Sequence, residues 1–409
     1  MNFSLGASKI ITPGEMIENG YICIEDDKIK EIGKSKPENL LIQDKIIIYP
    51  GLINSHDHLI GAYYPKAGKG PYLNWLPWDN DLKKAKVYEE RGKIANSDLY
   101  YISCYRHLVS GVVTVSDHIP HFLCDQFIPK MPIRVIENFT LAHECSSYDL
   151  KWGSGIESEY QKAAKNNWPF ITHINEGWDN EAKNGVNYLI EKNALTENTV
   201  LIHGLSYSME DIRNIARHNA NHVWCPISNY YMFEKVAKVK EMRELGVNVA
   251  IGTDSPMSGG VNLLEEMRFG KRIYKEIYNE ELEDKTLFEM ATINGARAFK
   301  IDHYTGTLEP GKIADMLVLK DIGTDPYSAL VQAKLEDILL VVYKGEPVYA
   351  DETFESLFKT LKISFKRVNI NKAKKLVKYG ENYPDINEIM NRIKANVGYE
   401  KRLPFVPIS

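Results

Sequence analysis

The chain has 409 residues, of which 44% are hydrophobic and 26% are charged, and this is the composition of an ordinary globular protein. Its formal net charge of -5 offers no basic surface to a nucleic-acid backbone, so nucleic acid is excluded as a main partner. The five cysteines are an odd number without CxxC spacing, which favours neither a disulfide framework nor a cysteine-bound zinc site.

The N-terminal stretch MNFSLGASKIITPGE has no charged segment followed by an apolar core. No apolar run approaches the roughly 20 residues that a membrane span needs. We therefore expect a soluble, cytoplasmic protein with a small-molecule substrate and without a membrane partner. A length of 409 residues matches a (β/α)8 barrel of about 250 residues together with one smaller module.

Two β-rich segments flank the long middle of the chain. Residues 1–48 alternate short β-rich runs with turn residues, and residues 304–351 again show the pattern of strands and turns. Neither segment can hold a core alone, and the ends of an inserted domain often lie close together. We therefore predict that both segments form one discontinuous β-sandwich, through which a larger domain is inserted.

The middle of the chain, residues 49–303, alternates apolar strand-like runs with amphipathic helical stretches. The strands are predicted at 112–117, 133–139, 170–174, 200–203, 223–225 and 247–252, and the helices at 98–110, 157–167, 181–192, 208–218 and 234–245. Such alternation over about 250 residues favours a parallel α/β fold, and at this length a (β/α)8 barrel rather than an open sheet. The sequence contains neither GxGxxG after a strand nor GxxxxGK[ST], so dinucleotide and P-loop sites lose their main support.

Polar residues at the carboxyl ends of barrel strands are the candidates for chemistry. The apolar run IIIYPGLIN is followed by His56 and His58, which share one face of an extended chain. Further such ends occur in FITHINE, VLIHG and VAIGTDS, which supply His173 with Glu176, His203 and Asp254. Imidazoles and a carboxylate suit a divalent ion such as zinc or iron(II), and three or four ligands leave a position open for water.

The chain also carries, in this order, the motifs PGLINSHDH, NWL, CPISN, GTDS, TINGARAF and GTLEPGKIADMLVL. With these motifs it resembles the amidohydrolase superfamily, in the branch of guanine, cytosine and S-adenosylhomocysteine deaminases and triazine chlorohydrolases. The resemblance implies a hydrolase that acts on carbon–nitrogen bonds other than peptide bonds. It also implies one divalent metal, zinc or alternatively iron, with the ligands His56, His58, His173 and Asp254.

Three side chains are expected to carry the chemistry. Asp254, beside the metal and its water, can accept a proton, while Glu176 is the candidate acid that protonates a ring nitrogen of the substrate. His203 resembles the family histidine that hydrogen-bonds the attacking water or the developing charge. In a simpler interpretation, Glu176 is a solvated carboxylate or a helix cap, and His203 only packs and bonds a carbonyl.

Two further residues are predicted to contact the substrate. The aromatic segment at residues 61–81 is too long for an ordinary βα loop, so Trp75 is expected to overhang the metal and touch the substrate. The alternative is that Trp75 and Trp78 are buried against the barrel rim or a neighbouring subunit. His118 ends the second predicted strand and is expected to contact either the substrate or a residue behind the metal.

Two departures from the family pattern appear in the sequence. The predicted third strand at 133–139 and the fifth at 170–174 are close together, so the barrel is expected to be irregular around strand 4, with LAHECSSY as its remnant. Residues 352–409 are Lys-rich and are predicted to form a C-terminal helical extension that packs on the barrel, packs on a second subunit or stays solvated. We expect a homo-oligomer, in its simplest form a dimer.

The leading hypothesis is a metal-dependent hydrolytic deaminase that releases ammonia from an exocyclic amine of a small nitrogen heterocycle, such as a nucleobase or nucleoside. One alternative is a hydrolase of a cyclic amide or of another leaving group on a heterocycle. The other alternative is a catalytically silent binding protein on the same fold.

Overall fold

A computed structural model describes residues 1–403, except for the side chain at position 43; residues 404–409, which end the predicted C-terminal extension, lie outside the described residues. The strands are β1 (Asn2–Ile11), β2 (Met16–Glu25), β3 (Lys28–Gly33), β4 (Leu40–Pro50), β5 (Leu52–Asp57), β6 (Val112–Asp117), β7 (Arg134–Val135), β8 (Thr140–Glu144), β9 (Phe170–Ile174), β10 (Thr199–His203), β11 (Asn221–Trp224), β12 (Asn248–Ile251), β13 (Met316–Lys320), β14 (Ile338–Tyr343), β15 (Glu346–Asp351), β16 (Phe365–Ile370) and β17 (Ala373–Lys378).

The α-helices are α1 (Trp75–Lys84), α2 (Val87–Arg91), α3 (Asn96–Leu108), α4 (His121–Cys124), α5 (Ile156–Asn166), α6 (Asn180–Lys183), α7 (Gly185–Glu191), α8 (Met209–Arg217), α9 (Pro226–Phe233), α10 (Val239–Glu244), α11 (Leu263–Tyr278), α12 (Asp284–Met290), α13 (Ile293–Ala298), α14 (Pro326–Gln332), α15 (Glu355–Thr360) and α16 (Ile386–Val397). Short 3-10 helices lie at Leu59–Gly61, Ile128–Lys130, Leu335–Asp337 and Glu352–Phe354. Among the described residues, no helix is long and apolar enough to cross a membrane.

The two β-rich terminal segments meet in one nine-stranded sheet with the order β16-β17-β15-β14-β13-β4-β1-β2-β3. Strand β4 joins them, because it pairs in parallel with β1 and antiparallel with β13. Both faces of β4 are covered: Ile46 and Ile48 enter the core of the sheet, while Ile47 and Tyr49 face the larger core of the rest of the chain. That these strands constitute a separate β-sandwich domain, with a boundary at residues 48/49 and 303/304, stays a prediction.

Parallel strands in the middle of the chain form a TIM-barrel-like α/β fold. Strands β5-β6-β7 make one ladder and β12-β11-β10-β9-β8 make another. A single bridge between Asp57 and Asp254 connects the first strand to the end of the last. Within the described chain no ladder joins β7 to β8, so the strands follow the order of a barrel without closing it completely.

The irregularity predicted around strand 4 has a specific form. Of the strand expected at 133–139, only Arg134–Val135 forms a strand. The exposed residues Glu137 and Asn138 interrupt the strand before β8 begins. Strand β8 contains the TLAHE sequence and pairs in parallel with β9, so a fourth strand is present. No helix separates β7 from β8 in this described stretch, and the shortened connection accounts for the close spacing in the sequence.

The C-terminal tail differs from the predicted helical extension, since it contains a β-hairpin between α15 and α16. Strands β16 and β17 pair with each other, and β17 extends the nine-stranded sheet by pairing with β15. Lys375 of β17 is fully buried in this sheet. Its ammonium is satisfied there, because it donates to the carbonyl of Ile338 at 2.8 Å and to Asp351 at 3.0 Å. Helix α16 is tied to α3 by the 2.6 Å bond between Arg392 and Asp98. Contact of the tail with a second subunit stays a prediction.

Candidate active site

The predicted strand-end residues meet at the carboxyl edge of the parallel strands. The Nε2 atoms of His56 and His173 lie 3.2 Å apart. Asp254 Oδ1 lies 3.6 Å from Nε2 of His56 and 3.4 Å from Nε2 of His58. The close approach of β12 to β5 requires Gly252, since a Cβ atom there would lie 2.8 Å from the backbone nitrogen of His56. Residues that are separated by about 200 positions are thereby gathered into one buried cluster.

The donor set of this cluster suits a divalent metal ion. The ligating atoms of His56, His58 and His173 all lie within 4.8 Å of one another. Burial lowers the pKa of His58 to about 4 and lowers that of His173 well below its ordinary value, so both imidazoles are neutral, which is the form that ligates metals. One carboxylate oxygen of Asp254 completes a set of three nitrogens and one oxygen.

Two serine hydroxyl groups fix the orientation of the Asp254 carboxylate. Its Oδ2 atom accepts hydrogen bonds from the hydroxyl groups of Ser228 and Ser258, both at 2.6 Å, which leaves Oδ1 toward the histidines. Its backbone lies in the left-handed region at φ 58°, and His203 does the same at φ 75°. For residues with a side chain such conformations cost roughly 1–3 kcal/mol each and persist where the surroundings impose them. The site therefore stores backbone strain at two of its candidate functional residues.

Glu176 and His203 form a second pair beside the cluster. Glu176 Oε1 lies 3.6 Å from Nε2 of His203. Burial raises the pKa of the Glu176 carboxyl well above its usual range, and the nearby carboxyls of Glu144 and Asp254 raise it further. The amide nitrogen of Asn229 lies 3.0 Å from Nδ1 of His203 and, by donating to it, leaves the proton of the neutral ring on Nε2. The pair thus offers two proton donors on the same side of the cluster.

A buried ionic network supports the HDH segment, and the sequence analysis missed it. Asp57 turns away from the two histidines and pairs with Arg106, while Thr253 Oγ1 donates to it at 2.5 Å and Asn54 Nδ2 at 3.2 Å. Burial alone would raise the pKa of Asp57, but the charge of Arg106, the hydrogen bond of His107 and that of Thr253 hold it below its usual range. In the sequence, the only indication of this network is that Asp57 lies between the two candidate ligands His56 and His58.

Trp75, from the aromatic segment, is buried beside the cluster, and its contact with a substrate stays a prediction. It opens helix α1, whose start is fixed by the Asn74 side chain accepting from the backbone nitrogen of Leu76. The Trp75 indole lines the active-site pocket and its Nε1 donates to Glu144 Oε2 at 2.5 Å. Burial raises the pKa of Glu144 to about 7. The orientation of the Trp75 ring is therefore set by a buried carboxyl on β8.

His118 packs against one of the candidate metal ligands. It is fully buried and stacks on the ring of His173, with the centroids 4.4 Å apart and the planes 10° from parallel. It is not among the residues that line the pocket. His118 thus contacts the candidate ligand His173, and its contact with a substrate stays a prediction.

The pocket above the cluster is mostly apolar. Its volume is about 250 Å³, close to the lower end of the range of roughly 300–1,000 Å³ seen for ligand sites. Aromatic, aliphatic and thioether side chains form most of its walls, among them Ile60, Tyr64, Trp75, Trp78, Tyr88, Ile119, Leu150, Trp152, Met232 and Met257. His58, His173, Glu176, His203 and Asp254 form its polar floor. A planar, apolar-faced ring with one polar edge fits this distribution.

Comparisons with known proteins support the predicted class. Residues 154–348 match the model of the amidohydrolase family. This confirms the predicted resemblance to the amidohydrolase superfamily and the prediction that the chain is a hydrolase acting on carbon–nitrogen bonds other than peptide bonds. The alternative of a catalytically silent binding protein therefore loses its support.

Two relatives with the same name match most of this chain. The chain is 26% identical over 388 residues to the 5-methylthioadenosine/S-adenosylhomocysteine deaminase of Pyrococcus abyssi, covering 81% of this chain and 89% of the relative. It is 27% identical over 390 residues to the enzyme of the same name from Pyrococcus furiosus, covering 81% and 91%.

Solved structures support the fold. A triazine hydrolase variant superimposes with a TM-score of 0.77 at 18% identity, covering 97% of this chain and 99% of that one. An adenosine deaminase from Xanthomonas campestris with bound zinc has a TM-score of 0.71 at 16% identity, covering 85% and 92%.

Proposed function

We propose that this protein is a zinc-dependent hydrolytic deaminase that releases ammonia from the exocyclic amine of a purine-like or adenosine-like heterocycle. The observation that carries the proposal is Glu176, a buried carboxyl with a raised pKa on the floor of an apolar pocket, beside a cluster of three histidines and one aspartate. Deaminase names among relatives that are 26–27% identical to this chain support the choice of reaction.

The metal is assigned to one group of side chains. His56, His58 and His173 would hold it through Nε2, and Asp254 through Oδ1, the atoms that converge in the structure. A zinc ion bound there lowers the pKa of a coordinated water toward about 7 and so supplies a nucleophile at neutral pH. The neutral state of the buried imidazoles favours this ligation.

Proton transfer is assigned to three side chains of the floor. Asp254 accepts the proton of the attacking water, since its Oδ1 atom faces the cluster while its Oδ2 atom is held by two hydroxyl groups. Glu176, protonated because it is buried, donates to the ring nitrogen next to the attacked carbon. His203 keeps its proton on Nε2 and donates to the developing negative charge.

The balance of the reaction follows from these positions. Water adds to the carbon that bears the amine, and the carbon–nitrogen bond to that amine breaks. One water proton passes through Asp254 and Glu176 to the departing nitrogen, which leaves as ammonia. The second water proton, from the hydroxyl group on the attacked carbon, replaces on Glu176 the proton that went to the ring nitrogen, and the ring carbon keeps the oxygen. Glu176 is protonated again at the end of the cycle, as a group that acts first as acid and then as base requires.

The proposal is tested by measuring ammonia release from aminated purines, nucleosides, pyrimidines, pterins and triazines by the zinc-loaded protein. We expect stoichiometric ammonia and the corresponding oxo product from at least one purine or adenosine derivative, and no ammonia after chelation of the metal. Ring opening of a cyclic amide substrate, without ammonia from any amine in the panel, would contradict the assignment as a deaminase.

A further inference from the structure

A buried carboxyl group outside the pocket joins two loops that reach the Asp254 carboxylate. Glu266, in the first turn of α11, is fully buried and is not among the residues that line the pocket. Its Oε2 atom accepts a hydrogen bond from the backbone nitrogen of Ile227 at 3.0 Å, and its Oε1 atom accepts one from that of Gly260 at 2.6 Å. One side chain thus ties the start of α9 to the loop that precedes α11.

The start of helix α9 depends on this carboxyl for a cap. The first helical residue, Pro226, has no backbone N–H, and the N-cap residue Cys225 makes no side-chain cap bond in the described chain. The first N–H groups of a helix have no partner within it, so Glu266 satisfies the one of Ile227 from outside. Burial raises the pKa of Glu266 to about 8, and the two amide donors oppose this rise by stabilising the charged form.

Two glycines allow the second loop to approach Glu266. A Cβ atom at Gly260 would lie 2.7 Å from Oε1 of Glu266. A Cβ atom at Gly259 would lie 1.8 Å from the carbonyl oxygen of Thr253, which directly precedes the candidate aspartate ligand. The loop that carries Ser258 is therefore packed between the carboxyl of Glu266 and the backbone at the end of β12.

Each of the two loops carries one of the serines that bond Asp254. Ser228 directly follows the residue that Glu266 caps in α9, and Ser258 lies two residues before the other bonded amide. We propose that Glu266 is a positioning residue of the metal site. It holds both serine hydroxyl groups against Oδ2 of Asp254, so that Oδ1 stays directed at the histidines. This inference rests on the metal site of the proposed function.

The test is a double-mutant cycle on the binding of cobalt(II), whose visible absorption reports the geometry of its ligands. Dissociation constants and spectra are measured above pH 8, where the ionised form of Glu266 predominates. The cycle compares the wild type with Glu266→Gln, with the double variant Ser228→Ala, Ser258→Ala, and with all three changes together. Glu265→Gln is the matched control, because Glu265 is the neighbour of Glu266 on α11 and accepts from the backbone nitrogen of Val261 at 2.8 Å.

Glu266→Gln replaces one acceptor oxygen by an amino group that faces a backbone N–H. Loss of a partner that orients a metal ligand typically costs 10- to 100-fold in metal affinity. We expect a loss of this size for the double variant of Ser228 and Ser258, and a loss of about 10-fold for Glu266→Gln, with a changed cobalt spectrum. When both serines are already absent, Glu266→Gln should change the affinity by less than about twofold. Glu265→Gln should stay within about twofold of the wild type and keep its spectrum.

An equal loss of cobalt affinity from Glu266→Gln with and without the serines would overturn the inference, because the carboxyl would then not act through the two hydroxyl groups. A loss of the same size in Glu265→Gln would also overturn it, as an effect of charge alone. Thermal unfolding of the metal-free variants shows which of them are folded. Glu266→Asp keeps the charge but is too short to reach both amides, and it takes the place of Glu266→Gln if the latter does not fold.

Ammonia release from the same variants separates this inference from the proposed function. Cobalt affinities that depend on the serines as expected, in a protein that releases no ammonia from any amine, would keep the inference and remove the proposed reaction. Ammonia release by the wild type, together with independent effects of Glu266 and the serines on cobalt affinity, would do the reverse. A wild-type chain that binds no cobalt would overturn both the metal site and the inference.

Discussion

The proton-carrier role of Glu176 can be tested by replacing one oxygen of its side chain. Glu176→Gln keeps the size of the side chain and its hydrogen-bonding capacity, but an amide cannot deliver and recover a proton. The side chain is 4% exposed and lies 3.6 Å from His203, so bulk solvent has little access to the position of the missing carboxyl. Binding of metal and substrate should therefore survive the change, whereas turnover should not.

The expected magnitude follows from the number of transfers that Glu176 performs. One positioned general acid or base contributes about 100- to 10,000-fold. Because Glu176 is assigned both the protonation of the ring nitrogen and that of the leaving amine, we expect kcat to fall by at least about 1,000-fold. This corresponds to a loss of roughly 4 kcal/mol of transition-state stabilisation.

The assay is the initial rate of ammonia release, together with the zinc content and the substrate dissociation constant of each variant. Glu144→Gln is the matched control, since Glu144 is equally buried, also has a raised pKa and lies on the neighbouring strand, but its carboxyl bonds Trp75. Its kcat should fall by no more than about tenfold, because the amide oxygen still accepts from the indole. A Glu176→Gln enzyme with a tenth of the wild-type rate would refute the role of Glu176 as proton carrier.

Three further predictions address the metal, the supporting network and the sheet. His173→Ala should lose most of the roughly one equivalent of divalent metal measured by elemental analysis, and full occupancy in a His56→Ala, His58→Ala double variant would contradict the ligand assignment. Arg106→Met leaves the buried Asp57 carboxylate without its counter-ion, so the free energy of unfolding from urea titrations should fall by about 3–5 kcal/mol. A loss below about 1 kcal/mol would show that water replaces the guanidinium. A chain that starts at Ile48 lacks most of β4 and should be insoluble or molten, whereas cooperative thermal unfolding of that chain would show that the two halves of the nine-stranded sheet are independent.

Local patterns in the sequence were sufficient for much of the fold. The predicted strands 112–117 and 170–174 coincide with β6 and β9, because an apolar run that ends in a polar residue contains all the information needed. The predicted helix 181–192 is interrupted at Asn184, the residue between α6 and α7. The predicted helix 234–245 begins only at Val239, since Glu234 ends α9 in the left-handed conformation at φ 52°.

Other features depend on contacts that no local pattern contains. The partners of Asp57 come from positions 49 and 196 residues away, and the sequence gives no reason to pair them. In the sequence, Lys375 argues against a buried strand, because burying an ammonium is unfavourable unless it is hydrogen-bonded. Its carbonyl and carboxylate acceptors become apparent only in the folded chain.

Strand β4 leads directly into β5, so the position of the active-site histidines depends on the number of residues between the two sheets. An odd and an even number of inserted residues would have different effects. From Leu40 to Asp57 the chain is extended almost without interruption, with its first part anchored in the nine-stranded sheet and its end followed by His58. Side chains alternate between faces, so one residue inserted between Gly51 and His56 would turn both imidazoles away from Asp254. Two inserted residues would restore the face but displace the imidazoles by about 6.6 Å along the strand. Natural or designed length variation in this chain is therefore expected at the loops beyond the strand ends and not within residues 46–58.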